Sequence, residues 1–447
     1  MIFQMQNSIL IQQNINTNIF QDFIKNMKIL LANYRYFVSG GPERYMFNVK
    51  NELEKRDHHI IPFSVKYPEN KPCAYSKYFV APLGTKDEVY FDQQKMTPTT
   101  LYRTLSRLFY SKEVERSVSQ LISDTQPQIA LVLHYLRKIS PSLLVALKNK
   151  KVPIIVRLSD YAMVCPQTHC LRNQTPCDLC AEGDIHHSIK FNCVKNSKIT
   201  SITNALAAWF HSYMRYFDLV DCFITTNMFM YKMMVRAGWS EEKLICIPTF
   251  TDTEIFRPKN NFSKSNYICY VGRLENLKGI HVLVNAFIAM QKTSSSNVSL
   301  KIAGTGSDFY FKQLKSTISN AGMENCIQFT GQLDASQLSQ FLGNALLTVV
   351  PSLWFENLPN TILESYACGT PVIASDIGSL PDCVKKGKTG DLFKAGDTQD
   401  LTETLKFYLN HPEILKKMAK NSRDEASRQY SPKAHINSLE HLFNQYI

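Results

Sequence analysis

Two glutamates, Glu356 and Glu364, flank seven residues inside the run from Val349 to Asp382, VVPSLWFENLPNTILESYACGTPVIASDIGSLPD. Glu356 falls on a polar loop after Pro351, and Glu364 sits just inside a helical pattern that opens near Asn360. That spacing holds one acid beside the mouth of a sheet and turns the other from the first helical turns toward the same crevice. Between them the unpaired N–H groups of a helix start, around Leu358 to Thr361, suit a phosphate flanked by hydroxyls that need acceptors. Acids are also common in first helical turns because they complement the macrodipole, so the pair alone fits either reading.

Cations complete a second chemistry. Arg273, after Gly272, offers a planar fork of donors and Lys278, before Gly279, a compact charge; together they can neutralise a diphosphate, unless they are ordinary solvated loop cations. His134 ends the strand-like run Ile129 to Leu133, at the carboxyl end where open sheets bind ligands. It is either a contact to a reacting group or a hydrogen-bonded structural histidine. Cys177 and Cys180 form a C-x2-C unit flanked by Cys165 and Cys193, with His169 and Cys170 among them. These are ligand types for a tetrahedral structural zinc, but the spacing is not that of a standard finger, and reduced thiols are the alternative.

The elements that must hold these residues read as a strand Leu346 to Val350, the loop, a helix closed by Gly369, and a strand Val372 to Ala374. Earlier in the chain, Lys28 to Leu31 is strand-like and runs into Val38-Ser39-Gly40-Gly41-Pro42, a glycine turn opening a helix to about Arg56. Further strands are expected at His59 to Phe63, Ile154 to Arg157, Cys222 to Thr225 and Leu244 to Ile247. The stretch 66–96 reads as irregular. One long amphipathic helix is expected from the Thr97 cap to about Ser123, its Arg and Lys residues forming a solvated face in preference to a binding patch, and another from a Ser140 cap with Pro141 first. The helix in Asn204 to Phe217 suits either a core or a membrane interface. After a polar, proline-bearing linker, strands at Tyr267 to Gly272, Val298 to Ala303 and Ile327 to Thr330 alternate with helices, which implies parallel strands with right-handed crossovers.

The run Pro351 to Pro381 resembles the donor-binding motif of the family 4 (group 1) retaining glycosyltransferases. The resemblance extends to the Gly40-Gly41 turn, Arg273, Lys278, the turn at Gly304 and Thr330-Gly331-Gln332-Leu333. It implies the GT-B fold: α/β, two doubly wound Rossmann-like domains facing each other across a donor/acceptor cleft. It further implies that Glu356 faces the transferred sugar, Glu364 binds the ribose hydroxyls, and Gly40, Gly41, Arg273, Lys278, Gly304 and Leu333 line the donor nucleotide. Asn357, Leu358, Pro359 and Asn360 stand where many members have Gly-Phe-Gly-Leu and share in that site. His134 takes the place of a rim histidine near the reacting sugar, whereas a second rim histidine is replaced by Ser159. A subset of the family carries a similar cysteine-rich insertion.

The implied domains are an extension at 1–26, either a flexible tail or a stretch upstream of a true start at Met27; an acceptor-side domain at 27–248 with the cysteine-rich insertion at about 160–200; a linker at 249–265; a donor-binding domain at 266–430; and a last helix at 431–447 crossing back to the first domain. At 447 residues, with 44% hydrophobic and 20% charged residues, two globular domains are the prior. No apolar run approaches the roughly 20 residues of a membrane span, and no signal peptide is legible, which points to the cytoplasm. A net charge of +12 favours an anionic partner; without a nucleic-acid motif, a nucleoside-diphosphate sugar and the inner face of the cytoplasmic membrane are preferred. The expected reaction is sugar transfer with retention from a UDP- or GDP-linked donor to a lipid-linked saccharide of capsule, lipopolysaccharide or exopolysaccharide assembly, with no obligatory cofactor and zinc as a structural option. A nucleotide-sugar epimerase and a non-catalytic binding subunit are the competing readings. Nothing in the sequence fixes an oligomeric state.

Overall fold

A computed structural model describes residues 26–84, 97–258, 265–293 and 297–447. The expected N-terminal extension up to residue 25, and parts of the irregular 66–96 stretch and of the linker, lie outside the described residues.

Short runs that are apolar throughout become strands covered on both faces. In chain order they are β1 (Lys28–Ala32), β2 (His59–Phe63), β3 (Ile129–Val132), β4 (Ile154–Arg157), the two-residue pair β5 (Leu171–Arg172) and β6 (Thr175–Pro176), β7 (Cys222–Thr225) and β8 (Leu244–Cys246). The second half contributes β9 (Tyr267–Val271), β10 (Ser299–Ala303), β11 (Ile327–Gly331), β12 (Thr348–Val350), β13 (Val372–Ser375) and β14 (Gly390–Phe393). They form two six-stranded sheets, ordered β2-β1-β3-β4-β7-β8 and β11-β10-β9-β12-β13-β14, and a small β5-β6 hairpin. Every pairing in the two large sheets is parallel.

Both orders reverse direction once, between β1 and β3 in the first sheet and between β9 and β12 in the second. Ligands of open parallel sheets sit in the crevice beyond the carboxyl ends of strands at such a point. The four strands concerned lead into the Gly40-Gly41 turn, His134, the loop carrying Arg273 and Lys278, and the loop carrying Glu356. Topology alone therefore collects the candidate residues at two crevices.

The last helix, Pro432–Asn444, packs on the first half: Ile436, Leu439, Leu442 and Phe443 lie in the same apolar cluster as Ile29, Leu31 and Val49. Its His435 ring nitrogen lies 2.9 Å from the Tyr45 hydroxyl, and its Glu440 pairs with Arg56 and His58. Burial pushes the His435 imidazole down to about 3, with the Arg157 charge adding to it, so this junction is held by a neutral histidine.

Three local expectations need correction. The long amphipathic helix is two, Pro98–Phe109 and Lys112–Thr125, because Tyr110 is extended and Ser111 caps a new start by accepting from the Val114 N–H. Its basic face is not wholly solvated: Arg107 is fully buried, donating to the carbonyls of Ala81 and Ile139 and to Glu113. Ser140 does not cap from the adjoining position; the helix is Ser142–Asn149, and the Ser140 hydroxyl accepts from the N–H groups of Ser111 and Ser142, tying two helix starts together. The helix Lys198–Tyr213 turns Ala205, Ala207 and His211 inward, while Ile199, Leu206, Trp209 and Tyr213 are exposed. It adjoins Pro98–Phe109, whose Leu101, Tyr102 and Leu105 are exposed as well, so the two helices together present an aromatic and aliphatic outer face.

Candidate functional site

Pro351 ends β12, and the following loop turns back over the sheet before the helix Asn360–Ala367. Glu356 is buried on that loop. Three donors converge on a single oxygen, Oε1: Lys278 Nζ at 2.6 Å, Ser352 Oγ at 2.7 Å and Trp354 Nε1 at 2.8 Å. Burial works to raise this carboxyl, but the charge and hydrogen bond of Lys278, joined by Ser352 and Trp354, outweigh it and hold the group below the ordinary carboxylate range. The backbone is fixed too, since the Glu356 carbonyl accepts from Tyr161 Oη at 2.9 Å and from Ser379 Oγ at 2.7 Å.

Lys278 owes its position to Gly279, which sits at φ +67, and a Cβ there would fall 1.7 Å from the Pro351 carbonyl oxygen. We expect Gly279→Ala to be among the costlier single substitutions, on the order of 3 kcal/mol. Denaturant unfolding checks this, and an unfolding midpoint within error of the parent protein would count against the packing described.

Glu364 is buried in the helix two turns further on, and its carboxylate meets Arg44 Nη1 at 3.1 Å. Arg44 belongs to the helix Gly41–Glu54 of the first domain, so this pair crosses the cleft. Burial raises the Glu364 carboxyl, and the Arg44 charge only partly offsets it. A cleft of about 270 Å³ opens here, lined by Gly41, Arg44, Asn48, Leu333, Asn360 and Glu364 among others. Gly41 lies so close to Asn360 that a Cβ on it would stand 3.5 Å from the amide nitrogen.

The other sequence-derived residues divide. Gly40 precedes the helix that brings Arg44, and Pro359 occupies the cap position before Asn360. Gly304, at φ +135, lets two loops touch, because a Cβ would lie 1.9 Å from the Gly272 carbonyl oxygen. Leu358 packs against the apolar cluster of the second domain. Arg273 is largely exposed and ion-paired with Glu275 at 2.8 Å, apart from the Lys278–Glu356 pair. Asn357 is engaged as a bracket between domains: its carbonyl and side-chain oxygens accept from Thr226 and Asn227, and its amide faces the Leu158 carbonyl at 3.5 Å.

His134 stands at the rim beyond β3 with its Nε2 3.4 Å from Asp160 Oδ2. Burial works to raise Asp160, but the hydrogen bond and charge of His134 and the Ala162 N–H prevail and keep it low. Asp160, next to Ser159, has no signature in the sequence that marks it for this contact. Arg44, Ser352, Trp354 and Tyr161 were missed likewise. Trp354 and Ser352 lie within four residues of Glu356, and an N–H or O–H donor that near a buried acid was a usable signal.

Residues 252–425 match the model of the family described as glycosyl transferases group 1. A D-inositol 3-phosphate glycosyltransferase from Arthrobacter sp. is 32% identical over 166 residues, covering 34% of this chain and 38% of that protein. The chain spans 38 to 62% of the length of the first curated relatives it matches. The solved structure of sucrose-phosphate synthase from Thermosynechococcus elongatus has a TM-score of 0.66 at 17% identity, covering 94% of this chain and 99% of that one. HepE from Anabaena in complex with UDP-glucose has a TM-score of 0.61 at 17% identity, covering 94% and 100%. The shared architecture is GT-B, two Rossmann-like halves.

Proposed function

We propose that this chain, whose residues 252–425 match the group 1 glycosyltransferase model, transfers a sugar from a UDP-linked donor to an acceptor hydroxyl with retention of anomeric configuration. The observation that carries this reading is the Lys278–Glu356 pair, its carboxylate buried, on the loop ahead of the helix start at Asn360, with Glu364 of that helix lining a cleft together with Gly41 and Asn360. The UDP-glucose held by the Anabaena relative supports the choice of base.

In such a transfer positive charge develops on the sugar ring and negative charge on the departing diphosphate, so fixed cations at the phosphate end lower the barrier. Lys278, Arg273 and the N–H groups at the helix start supply them. Glu356, held ionised by three donors, is a poor general acid. Its role is to aim Lys278 and to meet the sugar with its other oxygen. Glu364 accepts from the ribose hydroxyls, and His134, steadied by Asp160, contacts the sugar or the incoming acceptor. A covalent route would need a carboxylate nucleophile beneath the anomeric carbon; the favoured route is front-face attack, the leaving phosphate taking the acceptor proton.

The acceptor we propose is a lipid-linked saccharide of cell-surface polysaccharide assembly, presented at the cytoplasmic membrane face. The net charge of +12 and the exposed face of Tyr102, Trp209 and Tyr213 support it, aromatic side chains and basic residues being suited to an anionic bilayer surface. Among the described residues no helix is long and apolar enough to cross a membrane.

A thermal-shift titration with nucleoside diphosphates and their sugars tests the donor site. Ligand at 100 times Kd should stabilise the native state by about 2.7 kcal/mol. We expect one uridine-diphosphate sugar to raise the melting temperature above all others. Absence of any shift, together with no binding heat by calorimetry, would remove the donor assignment.

A further inference from the structure

We propose that Cys165, Cys177, Cys180 and Cys193 bind one zinc ion that staples the segment joining β4 to the helix Lys198–Tyr213 and thereby braces the loop carrying Glu356. This goes beyond the transferase reading and does not depend on it.

The segment has little ladder structure of its own, although Tyr161, Val164, Cys165, Cys170 and Ala181 join the main apolar cluster of the first domain. Residues 158–197 hold only the β5-β6 hairpin, a single turn at Leu179–Glu182 and a five-residue helix at His186–Lys190. Seven of its non-glycine residues have positive φ: Thr168, Cys170, Asn173, Gln174, Asn192, Lys195 and Asn196. So long an irregular stretch inside a compact domain requires some other constraint than ladder hydrogen bonds.

The thiols supply it. Cys165, Cys170, Cys177, Cys180 and Cys193 line one cavity of about 10 Å³, the space of a single ion or water. Cys180 lies within electrostatic reach of Cys165, Cys193 and Cys177, and Cys193 within reach of Cys165 and Cys177. His187 also lines the cavity, and its Nδ1 is buried without a hydrogen-bond partner. Among the described residues, the one group of three or more whose ligand atoms lie within 4.8 Å of one another is Asp184, His186 and His187. Those come from neighbouring positions of one turn, and Asp184 and His186 are exposed, as surface acid–histidine clusters often are. The cysteine sulfurs are not gathered that closely, so the ion would draw them inward to Zn–S bonds of about 2.3 Å.

Cys170 also lies within reach of Cys165, Cys177 and Cys180, so the choice of four rests on spacing along the chain. Cys177 and Cys180 bite from a single turn, whereas Cys165 and Cys193 come from opposite ends of the segment, so joining them closes the longest loop and constrains the chain most. Cys170, five residues from Cys165, is hydrogen-bonded to it and serves as an outer donor. Binding replaces four S–H bonds by four Zn–S bonds and releases the protons to solvent, with no electron transfer.

The consequence reaches the cleft. Tyr161 donates to the Glu356 carbonyl at 2.9 Å, and the His169 ring lies 5.8 Å from that of Trp354, which donates to the Glu356 carboxylate. Both contacts come from the segment the ion would hold.

The test is metal analysis of protein purified without chelator or metal-affinity resin. About one zinc per chain is expected, released when a mercurial titrates the thiols and counted with a chromogenic chelator. Cys177→Ser and Cys180→Ser should lose the metal, while Cys170→Ser and Cys326→Ser keep it. Cobalt replacement should give thiolate-to-metal charge-transfer bands in the parent protein, a readout that needs no variant to fold. Zinc-free protein that also takes up neither Zn²⁺ nor Co²⁺, disulfides at these cysteines, or metal loss in Cys170→Ser equal to that in Cys177→Ser would overturn the proposal. Donor binding is scored separately by UDP-glucose thermal shift, so a failure here and a failure of the transferase reading are distinguishable.

Discussion

Glu356→Gln should cut turnover by two to three orders of magnitude while leaving the protein folded, and Lys278→Ala should lose both activity and stability. The asymmetry follows from burial. The glutamine keeps an oxygen for Ser352, Trp354 and Lys278, so the local hydrogen bonds survive, but it no longer balances or aims the lysine charge that the departing diphosphate requires. Loss of one preorganised electrostatic contact to a transition state costs about 10²- to 10³-fold. Lys278→Ala instead leaves an ionised carboxylate buried without its cation, which typically costs about 3–5 kcal/mol. The pH dependence has a definite sign. Glu356 is depressed in the fold, so its contribution to stability is present above its unfolded pKa and is lost as pH falls through the folded value, below the ordinary carboxylate range. Glu356→Gln should flatten that acid limb. Steady-state kinetics and urea titrations at several pH values read both effects; near-normal turnover of Glu356→Gln would sink the assignment.

How much of this was legible beforehand depended on distance along the chain. Short apolar runs and glycine turns marked every strand of the first sheet and five of the six in the second, β14 being the exception, and the loop after β12 was readable because its acids, prolines and helix start lie within fourteen residues. Partners drawn from far away were not. Arg44 meets Glu364 across 320 residues, and Tyr161 meets the Glu356 loop across 195, so neither pairing leaves a local pattern. Asn357 shows the reverse limit: it belongs to the motif, yet its side chain is spent on Thr226 and Asn227 of the other domain. Periodicity also misjudged Arg107, since a basic residue on an amphipathic face reads as solvated unless carbonyls such as those of Ala81 and Ile139 happen to enclose it.

Donor affinity should fall with acid at a higher pH than an ordinary glutamate would dictate, and Glu364 is the reason. Its ionised form is the one that accepts from two ribose hydroxyls, and burial raises its carboxyl while Arg44 pulls it back. Binding is therefore strong where Glu364 is ionised and declines as pH drops through its raised pKa. Glu364→Gln should weaken UDP-sugar binding by one to two orders of magnitude near neutrality, hydrogen bonds to a charged group being worth about 1.5–3 kcal/mol. It should also remove this limb of the pH profile. Arg44→Ala tests the same residue from outside: without the cation the carboxyl rises further, so the midpoint for donor binding should move up in pH while the affinity at high pH changes little. Calorimetric titrations of the three proteins between mildly acidic and neutral pH separate these effects. If Arg44→Ala and the parent gave superimposable profiles, and Glu364→Gln kept the acid limb, the raised carboxylate would not be the group that recognises the ribose, and the cross-cleft pair would be a hinge contact instead.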